Sequence, residues 1–327
     1  MIHHKDPFVI GVDVGGTKIQ IGSVSIEGHV ITTQRYAMDK RNQDHAVHSV
    51  LSALEDFFNT QLHNKKPLAI GIGLVGHIDY QQGIWLNAIN IPINKPVMLG
   101  KVIRDLYGVP VYLDNDVNVA TLAELKWGIG RSTNDFIFLN IGTGIAAGIV
   151  SNASLVRGAA NYAGEFGHMV VDSNDDMKCT CGQTGCLEKV ASGGGILSST
   201  KELLPQYPTS ILHTHSEQGH LLPSTIFEAA ENGDLLASLI MERAIRGLQI
   251  GITNIVNLLN PEYIVIGGGV LRETKLLQKL SETVYLHALP VSRNVLKSIS
   301  FSQLEPDNVG MIGAAGLGWY HYKGEFK

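Results

Sequence analysis

The chain has 327 residues, 44% of them apolar and 17% charged, with a formal net charge of −5. That length exceeds what one hydrophobic core ordinarily organises, so two domains are expected. The acidic balance argues against nucleic acid or an anionic membrane surface as the main partner, and the most apolar stretch, Ile137 to Val150, is too short and too interrupted to span a bilayer. No hydrophobic signal core follows Met1, so the chain reads as cytoplasmic.

Phe8 to Val14 is a near-continuous apolar run closed by Gly15 and Gly16, the pattern of a buried strand. Ile19 to Val24 and His29 to Arg35 follow as strands, the second after a turn at Glu27-Gly28. Asp44 to His63 predicts a helix, with Val47, Val50, Leu51, Leu54, Phe58 and Leu62 sharing one face. Leu68 to Val75 and Val109 to Leu113 read as buried strands, and Val117 to Trp127 as a helix ended by Gly128. A second set of strands begins at Phe136. Asn161 to Gly195 is Gly-rich with little periodicity and is expected to be irregular, and Gln206 to Pro223 reads as loop or a short excursion. Asp234 to Asn260 is a long apolar-faced helix stopped by Pro261, and Tyr263 to Ile266 a buried strand ending in Gly267, Gly268 and Gly269.

An internal repeat organises these elements. Val9 to Thr17 (VIGVDVGGT) can be laid on Phe136 to Gly144 (FIFLNIGTG) with a one-residue gap, and Ile19–Val24 then matches Ile145–Val150. Turns rich in Gly and Thr present backbone N–H groups and a hydroxyl to an anion, so both turns are candidate phosphate grips. Asp13 sits just before the first turn, where a carboxylate can hold Mg²⁺ or a metal-bound water; Asn140 occupies the matching position in the second. Two plain hairpin turns are the simpler alternative. Gly11 to Lys18 misses the P-loop pattern because its Thr and Lys are in the wrong order and a strand follows. Gly142 to Gly148 misses the dinucleotide-binding spacing by one residue.

Asp114, Asn115, Asp116, Val117 and Asn118 follow a buried strand and open a helix. Phosphoryl transfer to a sugar hydroxyl needs one base, and Asp116 is assigned that role, with Asn115 hydrogen-bonding the sugar. Asp116 reads equally as a helix N-cap. All three cysteines fall within eight residues, and His168, Cys179, Cys181 and Cys186 make a complete tetrahedral zinc shell with no open position. Such a zinc is structural, and Gly182 and Gly185 relieve the turns that gather the sulfurs. It would bring Glu165 and Glu188, both good acceptors for sugar hydroxyls, near each other.

Together, Asp13–Lys18 (DVGGTK), Asp114–Asn118 (DNDVN), Ile141–Ile145 (IGTGI), Gly164–His168 (GEFGH), Cys179–Cys186 (CTCGQTGC) with Glu188, and Ile266–Gly269 (IGGG) resemble the ROK family of repressors, open reading frames and kinases, over nearly the whole chain. The resemblance implies an α/β, two-domain actin-like ATPase (ribonuclease H-like) fold with an internal duplication and a structural zinc site. The small domain would span 1–122 plus a C-terminal helix at about 311–327, and the large domain 123–310. It also implies ATP with catalytic Mg²⁺, a sugar substrate and a homodimer, while the acidic balance leaves neither nucleic acid nor a membrane expected as a partner. Asp116 matches the family's base. Asn90, Asn115, Glu165, His168 and Glu188 match its sugar ligands, so His168 would serve both zinc and sugar. Asp13, Gly15, Gly16, Thr17 and Lys18 match the first phosphate motif. Gly142, Thr143 and Gly144 match the second, and Gly267, Gly268 and Gly269 the adenosine motif.

The chain departs from the family after Asn90, where Ile91-Pro92-Ile93-Asn94 lacks the usual Gly-Trp, at Val75, where Pro is frequent, and at Ala146-Ala147, where glycines are common. The expected activity is ATP-dependent phosphorylation of a hexose or N-acetylhexosamine, at the 6-hydroxyl. A sugar-sensing transcriptional regulator of the same family is an alternative, disfavoured because only about seven residues precede the first strand. A catalytically inactive sugar-binding protein is another, opposed by the intact Asp13, Asp116 and Gly-Thr turns.

Overall fold

A computed structural model of the chain describes residues 7–63, 65–88, 90–173, 176–270 and 274–323. In chain order the elements begin with β1 (Val9–Val14), β2 (Lys18–Val24), β3 (Val30–Ala37) and α1 (Gln43–Gln61). Next come β4 (Ile70–Leu74), β5 (His77–Asp79), β6 (Ile84–Asn87), α2 (Leu99–Tyr107), β7 (Val111–Asn115) and α3 (Asp116–Trp127). They continue with β8 (Phe136–Ile141), β9 (Ile145–Ser151), β10 (Ser154–Leu155), α4 (Leu187–Ala191), α5 (Gly193–Leu203), α6 (Leu212–Glu217) and α7 (Pro223–Glu231). The last are α8 (Leu235–Leu259), β11 (Tyr263–Gly267), α9 (Thr274–His287), α10 (Pro290–Val295), β12 (Ser298–Phe301) and α11 (Val309–Lys323). No helix among the described residues is long and apolar enough to cross a membrane.

The chain divides into two compact units. The first comprises 1–134, 152–163 and 303–327; the second comprises 135–151 and 164–302. The expected boundary at 122/123 falls inside α3, and that helix stays whole because α11 packs along it: a Cβ at Gly313 of α11 would collide with the Val119 carbonyl oxygen.

The first unit is built on a sheet of order β3-β2-β1-β4-β7, in which β1 pairs antiparallel with β2 and parallel with β4. Four strands of the second sheet belong to the second unit, in order β9-β8-β11-β12, with β8 antiparallel to β9 and parallel to β11. The registers match residue by residue. Val14 pairs with Ile19 across the first hairpin and Ile141 with Ile145 across the second, which reproduces the one-residue gap in the sequence repeat. Asp13 and Asn140 hold equivalent positions, facing Gly73 and Gly267 on the parallel neighbour.

One face of the first sheet packs on α1 through Val50, Leu54 and Phe57. The expected stripe packs here, with Val50, Leu54 and Leu62 buried and Val47, Leu51 and Phe58 against the same core, and it is widened by Ala46, Ala53 and the fully buried Phe57; Phe58 also meets the Tyr107 ring at 4.1 Å. On the other face Gly22, Gly11 and Gly71 form one row across β2, β1 and β4. That row lets α11 lie directly on the sheet. A Cβ at Gly71 would collide with the Ala314 carbonyl oxygen, one at Gly11 with that of Met311, and one at Gly22 would come within 2.6 Å of Met311 Sδ. Backbone cannot retreat as a flexible side chain can, so Gly71→Ala is expected to destabilise the protein by about 3 kcal/mol. A urea denaturation midpoint unchanged from wild type would refute that close approach.

In the second unit α8 runs from an Asp234 cap, whose side chain accepts the Ala237 N–H, to Asn260 in the left-handed conformation, matching the sequence reading. The stretch expected to be irregular holds a 3-10 turn at Phe166–His168, and α4 and α5 occupy its end. Gln206 to Pro223 contains a short helix, α6. The hairpin β5–β6 and helices α2, α7, α9 and α10 also lie outside the sequence reading.

Candidate active site

Each unit carries its own group of candidate residues. In the first, Asp13 lies near the end of β1, and the turn at Gly15, Gly16 and Thr17 is closed by the Gly15 N–H donating to Lys18 O at 2.9 Å. Asn90 is beside this turn: a Cβ at Gly16 would touch the Asn90 Cβ at 3.5 Å. Asp116 is the first residue of α3, and the N-cap is Asn115, whose Oδ1 accepts the Val117 N–H at 2.9 Å. The capping role that competed for Asp116 in the sequence therefore belongs to its neighbour. Asn115 also donates through Nδ2 to Gly76 O at 3.1 Å, which leaves it one amide hydrogen for a ligand.

The two carboxylates are electrostatically coupled. Burial first, and then the negative charge of Asp13, together raise Asp116 to about 7 against the opposing Val117 N–H and Asn115. Burial likewise raises Asp13 to about 6, opposed by Lys18. Both keep some surface open, since neither is among the fully buried polar residues. A carboxylate poised near neutrality beside a second one is suited to accept a proton at physiological pH.

Asp114 was quoted in the sequence without a role, and it proves to be the hub beneath this junction. It is fully buried. Its Oδ1 accepts from the Asn115 N–H at 2.8 Å, from Asn118 Nδ2 at 2.9 Å and from Asn161 Nδ2 at 3.3 Å. Its Oδ2 faces Arg157 Nη1 at 2.5 Å. Arg157 also donates to Asn161 Oδ1 at 3.0 Å and lies over the Tyr80 ring at 4.2 Å. These contacts tie 157–161 to the strand–helix junction that presents Asn115 and Asp116. Removing the cation would leave a buried carboxylate uncompensated. Arg157→Met is therefore expected to lower kcat about tenfold or more and to destabilise the fold by about 3 kcal/mol, with partial recovery in Arg157→Lys. A variant with wild-type kcat and melting temperature would remove the hub from the account.

In the second unit three glycine-rich segments meet. The turn at Gly142, Thr143 and Gly144 is closed by the Gly142 N–H donating to Gly144 O at 3.0 Å. Its carbonyls take the first amides of α5, Gly193 N–H to Gly142 O at 2.9 Å and Gly194 N–H to Thr143 O at 3.0 Å. Gly267, Gly268 and Gly269 wrap the end of β8, where Val270 N–H donates to Ile141 O at 3.2 Å. Glu188, in the first turn of α4, accepts the Ile145 N–H at 2.9 Å, so its carboxylate lies directly under the second Gly-Thr turn.

His168, Cys179, Cys181 and Cys186 also come together, with one potential ligand atom each, all within 4.8 Å of one another. The cysteines are free thiols, and Cys181 Sγ and Cys186 Sγ stand 3.6 Å apart. Gly182 and Gly185 have φ of 89° and 73°, a left-handed geometry that favours glycine at these turns. Burial and the neighbouring sulfurs push Cys186 up to about 12, the repulsion that a bound dication would reverse. His168 points Nδ1 at Cys179 Sγ, 3.7 Å away, and Nε2 towards Glu165 Oε2 at 3.9 Å. Three thiols and one imidazole nitrogen in this arrangement fit a tetrahedral zinc ion.

The ROK family model matches residues 9–319. The glucokinase of Halalkalibacterium halodurans is 32% identical over 290 residues, covering 88% of this chain and 88% of its own. Among solved structures, a ROK family transcriptional regulator that is a homologue of the E. coli MLC protein superposes with a TM-score of 0.85 at 28% identity, over 98% of this chain and 80% of that one. A ROK family glucokinase from Streptomyces griseus, in complex with glucose and AMPPNP, superposes with a TM-score of 0.69 at 28% identity, over 95% and 98%. The mixed α/β chain, with its paired Gly-Thr hairpins and three-cysteine cluster, belongs to the ROK family.

Proposed function

We propose that the chain is an ATP-dependent sugar kinase that phosphorylates a hexose or N-acetylhexosamine at its 6-hydroxyl, on a duplicated actin-like fold. The observation that carries this reading is Asp116 at the start of α3, raised to about 7 by burial and by Asp13. A DNA-binding or purely sugar-binding protein has no use for a base poised there.

Asp116 takes the proton of the sugar hydroxyl as its oxygen attacks the γ-phosphorus and the bond to ADP breaks. Asn90, Asn115, Glu165, His168 and Glu188 bind the sugar, His168 through the Nε2 that the sulfurs leave free. The turns at Gly15–Thr17, with Lys18, and at Gly142–Gly144 hold the phosphates by backbone N–H groups, and Gly267–Gly269 accommodates the adenosine. Asp13 would hold Mg²⁺, which when bound neutralises charge on the phosphates. Zinc at His168, Cys179, Cys181 and Cys186 would be structural. A homodimer in the cytoplasm completes the proposal.

A coupled ADP-release assay over glucose, mannose, allose, fructose, N-acetylglucosamine and N-acetylmannosamine tests it. Turnover of at least one sugar is expected, and none with any would sink the kinase reading. The likeness to a transcriptional regulator favours sugar sensing as the second reading. A sugar-dependent, sequence-specific DNA shift by the purified protein, without turnover, would establish that instead.

A further inference from the structure

Gln20 stands directly opposite Asp13 in the β1–β2 register, so the two side chains project from the same face of the sheet. They form the row next to the glycine row under α11, and Gly73 extends that row on β4. The row continues to Arg35 on β3, which pairs with Asp307, and to Asp114 on β7, which is held by Arg157. The Asp13 carboxylate lies against the first turn of α11, since a Cβ at Gly310 would come within 2.7 Å of Oδ2.

Gln20 is 1% exposed, and its Nε2 donates to Asn308 Oδ1 at 2.7 Å. The orientation of the amide follows from its neighbours. Asn308 spends its Nδ2 on Glu305 Oε2 at 2.6 Å, which turns its Oδ1 towards Gln20 and demands a donor there. The remaining atom, Gln20 Oε1, is buried without a hydrogen-bond partner among the described residues. An unsatisfied amide oxygen carries a desolvation cost that an apolar side chain of the same volume would avoid. Its retention beside Asp13 points to a donor that arrives with a ligand.

We propose that Gln20 Oε1 accepts a hydrogen bond from a water on the divalent cation held at Asp13, making Gln20 a second grip on that cation. This rests on the kinase reading, which supplies the cation with the nucleotide. A water whose lone pair is on a metal offers only hydrogens, so it needs acceptors around it. Asn308 prevents the amide from turning its donor inwards. A neutral acceptor also adds no charge to the coupled pair of Asp13 and Asp116, which a carboxylate would.

The test is Mn²⁺ binding to the full chain in the presence of ADP, read from the free-ion electron paramagnetic resonance signal. Gln20→Met keeps the volume and loses the acceptor. It is expected to weaken Mn²⁺ about tenfold or more while metal-free ADP affinity stays within about twofold. Gln20→Glu keeps a buried oxygen but loses the donor to Asn308, and is expected to hold Mn²⁺ within about threefold of wild type. A Gln20→Met protein with wild-type Mn²⁺ affinity would overturn the proposal. So would a Gln20→Glu protein as weak as Gln20→Met, because Gln20 would then only tether α11. Wild-type protein that binds no Mn²⁺ with ADP would instead overturn the kinase reading, and this inference with it.

Discussion

Asp116→Asn is expected to lower kcat by about 10³-fold while leaving the fold and sugar affinity intact, because the amide keeps the shape and loses the proton acceptor. The pH dependence follows from the same site. Asp116 must be ionised to act, so activity should fall as pH drops through about 7. Stability runs the other way. Its folded value lies above the ordinary 3.8, so the folded state binds the proton more tightly than the unfolded chain. That contribution is fully present below about pH 4 and is lost as pH rises through about 7. Asp13, raised to about 6, adds to the same trend. Asp116→Asn removes the charge that burial disfavours, so the inactive variant is expected to melt a few degrees above wild type at pH 8. A variant with wild-type turnover would end the base assignment. One that melts well below wild type would show that the carboxylate stabilises the fold instead of straining it.

Stripping metal from the cysteine cluster, or replacing Cys186 with Ser, is expected to lower the melting temperature by on the order of 10 °C. Sugar affinity should weaken about tenfold, because the loop that carries Glu165 and His168 is gathered by the same four groups. ADP affinity should change by less than about twofold, since the turn at 142–144 is held by the amides of Gly193 and Gly194, the segment after β11 by Val270 N–H on Ile141 O, and neither contributes a ligand to the cluster. Metal analysis of the purified protein should return close to one zinc per chain. Chelated protein that bound sugar and melted as before would detach the cluster from the sugar ligands.

The local parts of this site were legible because they are written in adjacent residues. The two Gly-Thr hairpins, the strand–helix junction at Asn115–Asp116 and the cysteine turn each depend on residues a few positions apart. Gln20 and Arg157 were not legible. Gln20 reads as one polar residue in an apolar strand, and its meaning comes from Asn308, 288 positions away. Arg157 carries no motif, and its partner Asp114 lies on another element altogether. Helix α5 was missed for a related reason. It opens on Gly193, Gly194 and Gly195, a sequence with poor helix propensity, and its first amides are held by carbonyls of the turn at Gly142 and Thr143. Helix α2 is only nine residues long, too short for its periodicity to stand out.

The glycine row beneath α11 sets an order of events for a chain made from its N-terminus. Strands β1, β2 and β4 emerge early, yet the helix that covers their glycine face is the last element. Until residues 309–323 appear, Gly11, Gly22 and Gly71 offer water a bare backbone surface with no side chains to shield it. The second unit, which lies wholly between, can complete its own core first. Synthesis and assembly therefore run out of step: the half of the molecule that is made first is finished last, and nascent chains arrested near residue 302 should yield to protease in β1–β4 while 164–302 resists.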